Sequence, residues 1–126
     1  MNNKTLEWIL RIGISGEFIG HAAFALQANE GWIKYFTAIG ISTESAVQIM
    51  PLIGVMDLFF GVLILFKPIR GVLLWMAVWG LATAMARPIA GESIWQLVER
   101  SANWAAPLAL LFYYGWPKKA KDWLFN

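Results

Sequence analysis

Four long apolar segments, separated by short polar ones, constrain this chain of 126 residues more than any other feature. At about 1.5 Å of rise per residue, a helix of about 20 residues crosses the roughly 30 Å hydrocarbon core of a bilayer. Only 14% of the residues are charged, against roughly 25% in an average soluble domain. The sequence therefore predicts an all-α polytopic membrane protein, a single domain in contact with the lipid bilayer. Its four transmembrane helices are predicted over residues 6–28, 43–66, 69–87 and 93–114.

The composition also limits the chemistry. Because the chain has no cysteine, it forms no disulfide, thiol relay or cysteine-ligated iron–sulfur cluster. A membrane haem usually takes histidines from different helices, whereas His21 is the single histidine, so haem is disfavoured and no metal site is predicted. The small net charge of +2, with no clustered basic face, indicates no nucleic-acid partner. Arg11, Glu17 and His21 are unusual in a secretory signal, so we expect the first segment to be a retained helix.

The segment over residues 29–40 is too short to cross a membrane. Its aromatic and apolar residues recur at helical spacing opposite Lys34, with Asn29 as a candidate N-cap and Gly40 closing the segment. The pattern predicts a short amphipathic helix lying on the membrane surface. The alternative is a lid over an internal pocket. The residues concerned are Trp32, Tyr35, Phe36 and Ile39.

Basic residues set the predicted orientation. They fall at one end of a four-helix bundle, and cytoplasmic ends carry an excess of lysine and arginine. We therefore expect an inner-membrane protein with both termini in the cytoplasm. The segment over residues 115–126 mixes lysines with Trp123, Leu124 and Phe125, which predicts a surface anchor. The basic residues are Lys4, Lys67, Arg70, Lys118, Lys119 and Lys121.

The last apolar segment carries an unusual polar stripe. On a continuous helix, Gln96, Glu99, Arg100 and Asn103 lie along one face. Pro107 continues that face and cannot donate to the Asn103 carbonyl, which adds a backbone acceptor. A charged side chain at membrane depth is costly, so such a stripe is expected to line a protein interior or a water-filled cavity.

Further ionisable residues are predicted at the same depth, in the outer half of the bundle. Glu17 and His21 are four residues apart on one helix face, and a neighbouring carboxylate suits histidine for proton exchange. Asp57 shares its face with Gly54 and Gly61, which predicts a tight helix contact. The glycines of the first helix are likewise expected to admit a neighbouring helix, and Arg11 to extend to the interface. Those glycines are Gly13, Gly16 and Gly20.

Together these residues predict one polar pocket. Arg87 lies at its rim, and three acidic residues balance three arginines, as mutual neutralisation requires. The alternative is a charge network that only fixes the packing of the bundle. The predicted catalytic residues are Glu17, His21, Asp57 and Glu99, and the predicted ligand-binding residues are Arg87, Gln96, Arg100 and Asn103.

Several short motifs resemble the DoxX-like family of small membrane proteins. They are Arg11-x-Gly13, Gly20-His21 and Gly54-x-x-Asp57 followed by Gly61, in a chain of four-helix length. The resemblance implies a four-helix bundle. It also implies an association, found in some members, with quinone-linked thiosulfate oxidation or with membrane oxidoreductase complexes.

The leading functional hypothesis is a membrane subunit whose pocket binds a small or quinone-like ligand. It would support redox or proton transfer by a partner oxidoreductase. One alternative is a proton-coupled carrier of a small solute, in which a homo-oligomer supplies the second half. The other is a structural or assembly subunit of a membrane complex.

Overall fold

The computed structural model describes residues 3–124, and within that range the chain forms α-helices and short turns without a strand. The predicted all-α class is confirmed. Two single turns of 3-10 helix cover Glu30–Trp32 and Ala120–Trp123. Phe125, part of the predicted C-terminal anchor, lies outside the described residues. The helices are α1 (Asn3–Leu26), α2 (Ile33–Thr37), α3 (Thr43–Phe66), α4 (Arg70–Ile89), α5 (Ile94–Val98) and α6 (Ser101–Tyr114).

Helices α1, α3 and α4 are long and apolar enough to cross a membrane. Large apolar side chains cover their outer surfaces; on α3, Leu52 and Phe59 are 69% and 60% exposed. A continuous exposed apolar surface of this kind suits contact with lipid. Helix α4 continues past the predicted end at Arg87, because Ala90 N–H bonds the Ala86 carbonyl at 3.0 Å and keeps Pro88 within the last turn.

Local sequence explains where several helices begin and end. The Ser42 hydroxyl accepts the Ser45 N–H at 3.1 Å and caps α3, and Ser93 caps α5 in the same way through Trp95. Gly115 ends α6 with a φ of +98°, a conformation that favours glycine.

The predicted continuous helix over residues 93–114 is corrected to two helices, α5 and α6, with the break at Glu99 and Arg100. The Arg100 N–H turns back to the Leu97 carbonyl at 3.2 Å. The Gln96 carbonyl, which would accept that N–H in a regular helix, instead accepts the Arg100 guanidinium at 3.1 Å. The arginine side chain thus replaces the backbone donor and stabilises the break.

Close packing of α1 on α3 depends on two glycines of α3. A Cβ at Gly54 would lie 2.8 Å from Leu26 Cγ, and one at Gly61 would lie 3.2 Å from Phe18 Cβ. The predicted tight contact on the Asp57 face is therefore confirmed. The expectation for the first-helix glycines is wrong, because a Cβ there would meet nothing within 4 Å among the described residues. These are Gly13, Gly16 and Gly20.

Helix α4 packs on α6 at Gly80. A Cβ at Gly80 would lie 2.8 Å from the Asn103 carbonyl carbon and 3.3 Å from the Trp104 nitrogen. Pro107 leaves the Asn103 carbonyl without a helical donor, as predicted. That carbonyl packs against Gly80 of α4, however, and does not extend a polar stripe.

Arg11 contacts the end of α3, which corrects the expectation that it extends to the interface. It is 7% exposed, and its guanidinium bonds the Ile64 carbonyl at 2.8 Å and the Leu65 carbonyl at 2.5 Å. The Ile64 carbonyl has no helical donor because residue 68 is proline. Glu7, which accepts the Tyr114 hydroxyl, lies 3.5 Å from Arg11.

The same end of the bundle brings together the start of α1, the start of α4 and the end of α6. The Tyr113 hydroxyl donates to the Asn3 carbonyl at 3.1 Å, and Arg70 donates to the Gly115 carbonyl at 3.2 Å. The lysines near both chain termini therefore lie at one end, with Lys67 between α3 and α4 at that end as well. The connections over residues 27–42 and 90–93 lie at the other end.

Candidate functional site

A cavity of about 220 Å³ lies between α1, α3 and α4 at the end of the bundle opposite the basic residues. Its walls are largely aromatic and aliphatic. Three side chains that can carry charge reach it, one from each of these helices: His21, Asp57 and Arg87.

Asp57 supplies a carboxylate to the deep part of the cavity. It is 3% exposed, because α1 packs closely on its helix face. The Trp79 indole lies close enough to this carboxylate to interact with it. Its Oδ1 atom nevertheless has no hydrogen-bond partner among the described residues. A buried acceptor without a partner is unusual, and Asp57 is one of the residues that line the cavity.

Arg87 supplies a cation near the other end of the cavity. It lies in the last turn of α4, where the helix dipole favours a positive charge, and it is 8% exposed. Its guanidinium carbon lies 4.3 Å from the Tyr35 ring centroid and 6.0 Å from that of Trp32. The Nε atom has no hydrogen-bond partner among the residues that the structure describes.

His21 and Glu17 stand in different relations to the cavity. His21 lines it and meets Trp32 edge to face, with ring centroids 5.9 Å apart. Glu17 is half-buried one turn away, outside the lining, and interacts electrostatically with Asp57. Glu17 and His21, predicted to lie on one helix face and to exchange protons, share no hydrogen bond in the described part of the chain, and Glu17 is not among the groups that act electrostatically on His21. Glu17 is thus a second carboxylate near Asp57, outside the cavity lining.

The segment between α1 and α3 covers the cavity as a lid. Its aromatic and apolar side chains at positions 32, 35, 36 and 39 all line the cavity. As predicted, Asn29 begins the segment by accepting the Gly31 N–H at 2.9 Å, and Gly40 closes it with a φ of +92°. The structure thus places these side chains as the lid alternative requires.

One acidic residue fastens the lid to the connection after α4. The Tyr35 hydroxyl donates to Glu92 Oε2 at 2.8 Å, and Lys34 Nζ lies 2.5 Å from the same oxygen. The hydrogen bonds from Lys34 and then Tyr35 lower the pKa of the Glu92 carboxyl. The bond to Glu92 in turn raises the pKa of the Lys34 amine. We call this group of three residues the latch.

Comparison with protein families agrees with the predicted resemblance. The family model described as the DoxX-like family matches residues 18–95, more than half of the chain. The chain belongs to the DoxX-like family. Every residue that lines the cavity of this DoxX-like protein lies within the matched segment. Comparisons with curated proteins and with solved structures find no match.

The stripe predicted on the last apolar segment does not line the cavity of the DoxX-like chain. Glu99 has a 64% exposed side chain and pairs with Arg100 at 2.8 Å. Arg100 also bonds the Gln96 side-chain oxygen at 2.8 Å and lies close enough to His21 to interact electrostatically. Asn103 is half-buried beside α4. Because the helix breaks between α5 and α6, the four residues do not lie along the face of one continuous helix.

Sequence reasoning missed the aromatic part of the DoxX-like site. Trp79, which was not among the predicted site residues, lines the cavity together with Asp57. The signal was present, since Trp79, Thr83 and Arg87 are spaced four residues apart and lie on one helix face. Among the described residues, no group of three or more histidine and acidic residues could hold a metal ion.

Proposed function

We propose that this membrane protein binds a small, planar, quinone-like ligand in the lidded cavity. In this proposal it supports proton or redox transfer by a partner oxidoreductase. The observation that carries the proposal is a pair of buried, unpartnered polar atoms, Asp57 Oδ1 and Arg87 Nε, in two residues that line one aromatic-walled cavity. They offer a hydrogen-bonding group near each end of a flat, apolar molecule.

The size and walls of the cavity suit a substituted ring. A dry protein cavity of about 150 Å³ is known to bind benzene, and this cavity of about 220 Å³ leaves room for a ring with carbonyl groups. Trp79 and Tyr35 are aromatic residues of the cavity wall, and aromatic rings pack favourably against one another. When bound, a quinone supplies reversible two-electron, two-proton chemistry.

The chain contributes binding and proton exchange. Arg87 can donate a charge-assisted hydrogen bond to a carbonyl oxygen. Asp57 and His21 are acid–base groups on the same cavity, and Glu17 lies beside Asp57 to accept or return a proton. Of the charged groups, Asp57 and Arg87 are shielded from water, at 3% and 8% exposed. Gln96, Glu99 and Asn103 lie outside the cavity, and Arg100 adds positive potential near His21.

The orientation follows from the basic end of the bundle. By the excess of positive charge on cytoplasmic ends, both termini lie in the cytoplasm and the lid faces the outer side of the inner membrane. Helices α5 and α6 together form the fourth crossing, since the chain must return to the basic end after the connection at residues 90–93.

Binding can be measured through tryptophan fluorescence, because Trp32 and Trp79 line the cavity. The full chain is purified in mild detergent and titrated with a short-chain benzoquinone held in its reduced quinol form, whose hydroxyl group supplies the hydrogen that the Asp57 carboxylate accepts. We expect Asp57→Asn, which keeps the side-chain volume, to raise Kd about tenfold or more, because a hydrogen bond to a charged group contributes about 1.5–3 kcal/mol. Glu44→Gln is the matched control, since Glu44 is exposed in the first turn of the same helix.

Equal quenching of the wild type and Asp57→Asn would refute the proposed site, provided that circular dichroism shows both to be helical. If the wild type does not bind the quinone, the ligand class is wrong. Uptake of a solute into vesicles that contain only this protein would instead favour the proton-coupled carrier.

A further inference from the structure

An exposed charged pair marks the break between α5 and α6. Glu99 has Arg100 as its one partner in the described part of the chain. The bonds from Arg100 to Glu99 and Gln96 all use a single guanidinium nitrogen, Nη1. The Nε and Nη2 nitrogens of Arg100 therefore remain for another acceptor.

Packing against α4 places this pair within the apolar thickness of the bundle. Gly80, near the middle of α4, contacts the backbone at Asn103. Glu99 precedes Asn103 by four residues across the break, which at helical rise adds no more than about 6 Å along α6, whereas Ile89 at the end of α4 lies about 13 Å from Gly80. Glu99 is thus at least about 7 Å inside the end of a helix that is long enough to cross a membrane.

The surface around the pair is apolar or made of small residues. Trp95 and Val98 are 71% and 49% exposed, and Ser101, Ala102 and Ala109 are also exposed. Small residues along a membrane helix let a second helix approach closely. Glu99 is paired with Arg100 within the chain, but an ion pair that faces lipid at this depth is still costly, so the surface favours a partner that supplies further polar groups. We call it the Glu99 surface.

We propose that the Glu99 surface joins two copies of this chain. The surface is self-complementary, because it carries one acid and one base side by side. In a two-fold dimer whose axis lies along the membrane normal, both copies insert in the same direction. Each residue then lies at the same membrane depth in both copies. Glu99 of each copy then meets the free nitrogens of Arg100 of the second copy. This inference depends on the membrane crossing of α4 and not on the ligand of the cavity.

Cysteine cross-linking tests the surface directly, because the chain has no cysteine of its own. Ser101→Cys places a thiol on the Glu99 surface, and Leu52→Cys places one on the exposed face of α3 as a control. In lipid nanodiscs, we expect mild oxidation to give a disulfide-linked dimer from S101C and little from L52C. Equal cross-linking of both variants, or a monomer in native mass spectrometry of the wild type, would overturn the dimer.

Charge exchange tests the pairing. In the S101C background, Glu99→Arg and Arg100→Glu each place like charges across the interface. We expect each single change to lower the dimer yield by about tenfold, the equivalent of about 1.4 kcal/mol, and the double exchange E99R/R100E to restore it. The pairing would be overturned if the single changes left the dimer yield unchanged. It would also be overturned if E99R/R100E, with normal helicity, gave a dimer yield as low as that of either single variant. Capture of a different membrane protein by S101C in place of a second copy would also overturn it.

Discussion

Replacing Gly80 by alanine should separate α4 from α6 and lower stability. The added Cβ would lie 2.8 Å from the Asn103 carbonyl carbon and 3.3 Å from the Trp104 nitrogen, whereas comfortable carbon contacts are about 3.5–4.0 Å. Both neighbours are backbone atoms of α6, so rotation of a side chain cannot relieve the overlap. One helix must move by several tenths of an ångström.

The expected magnitude follows from two opposing effects. Overpacking typically costs about 1–3 kcal/mol, and alanine in place of glycine inside a helix returns about 0.5–1 kcal/mol. Because the overlap is with rigid backbone, we expect a net loss of about 1–2 kcal/mol of unfolding free energy for Gly80→Ala. Gly20→Ala is the matched control, since a Cβ there meets nothing within 4 Å.

Unfolding of both variants by sodium dodecyl sulfate in mixed micelles, followed by circular dichroism, gives the comparison. Gly20→Ala should equal the wild type or exceed it slightly. If Gly80→Ala is as stable as Gly20→Ala, the close contact between α4 and α6 is refuted. Since α4 also carries Trp79 and Arg87, the quinone affinity of Gly80→Ala should fall with its stability.

Two further predictions concern the ends of the bundle. The pKa of Glu92 is lowered, so the latch is fully formed above the ordinary carboxyl pKa of about 4.3 and is lost only when falling pH passes the lowered pKa. The pKa of Lys34 is raised, so the latch is fully formed below the ordinary amine pKa of about 10.4 and is lost only when rising pH passes the raised pKa. Proteolysis of the lid should therefore be slow and constant between about pH 5 and 10 in the wild type and faster in Glu92→Gln; equal rates would contradict the latch. At the basic end, Arg11→Gln should cost about 3 kcal/mol, because it leaves buried carbonyls of α3 without their side-chain donor and removes the buried cation beside Glu7. Lys4→Gln, at a side chain that is 81% exposed, should cost less than about 1 kcal/mol in the same detergent titration, and similar losses in both variants would contradict this assignment.

The long apolar helices and the inward position of Asp57 could be predicted from the sequence. Hydropathy over a length of about 20 residues is a strong signal, and the glycines one turn either side of Asp57 marked the packed face of α3. His21 and Arg87 also reach the predicted end of the bundle. These predictions rest on periodicity within one helix, which sequence shows directly.

The features that escaped prediction depend on contacts between segments. The break at Arg100 arises because a side chain replaces a backbone donor, while residues at helical spacing fit a continuous helix equally well. Arg11 is buried because Pro68, far along the chain, deprives an α3 carbonyl of its donor. Glycine spacing likewise cannot tell a packed face, as at Gly61, from the open face of α1.

The two ends of the bundle are fastened very differently. At the basic end, hydrogen bonds from Arg11, Arg70 and Tyr113 tie separate helices together. At the other end, the latch on Glu92 holds the lid through two exposed or half-exposed side chains. The basic end is therefore held by bonds between helices, whereas the lid end depends on exposed contacts, and in the proposed function a ring would enter from the lid side. Such a difference would let ligand exchange proceed without opening a water path across the bilayer.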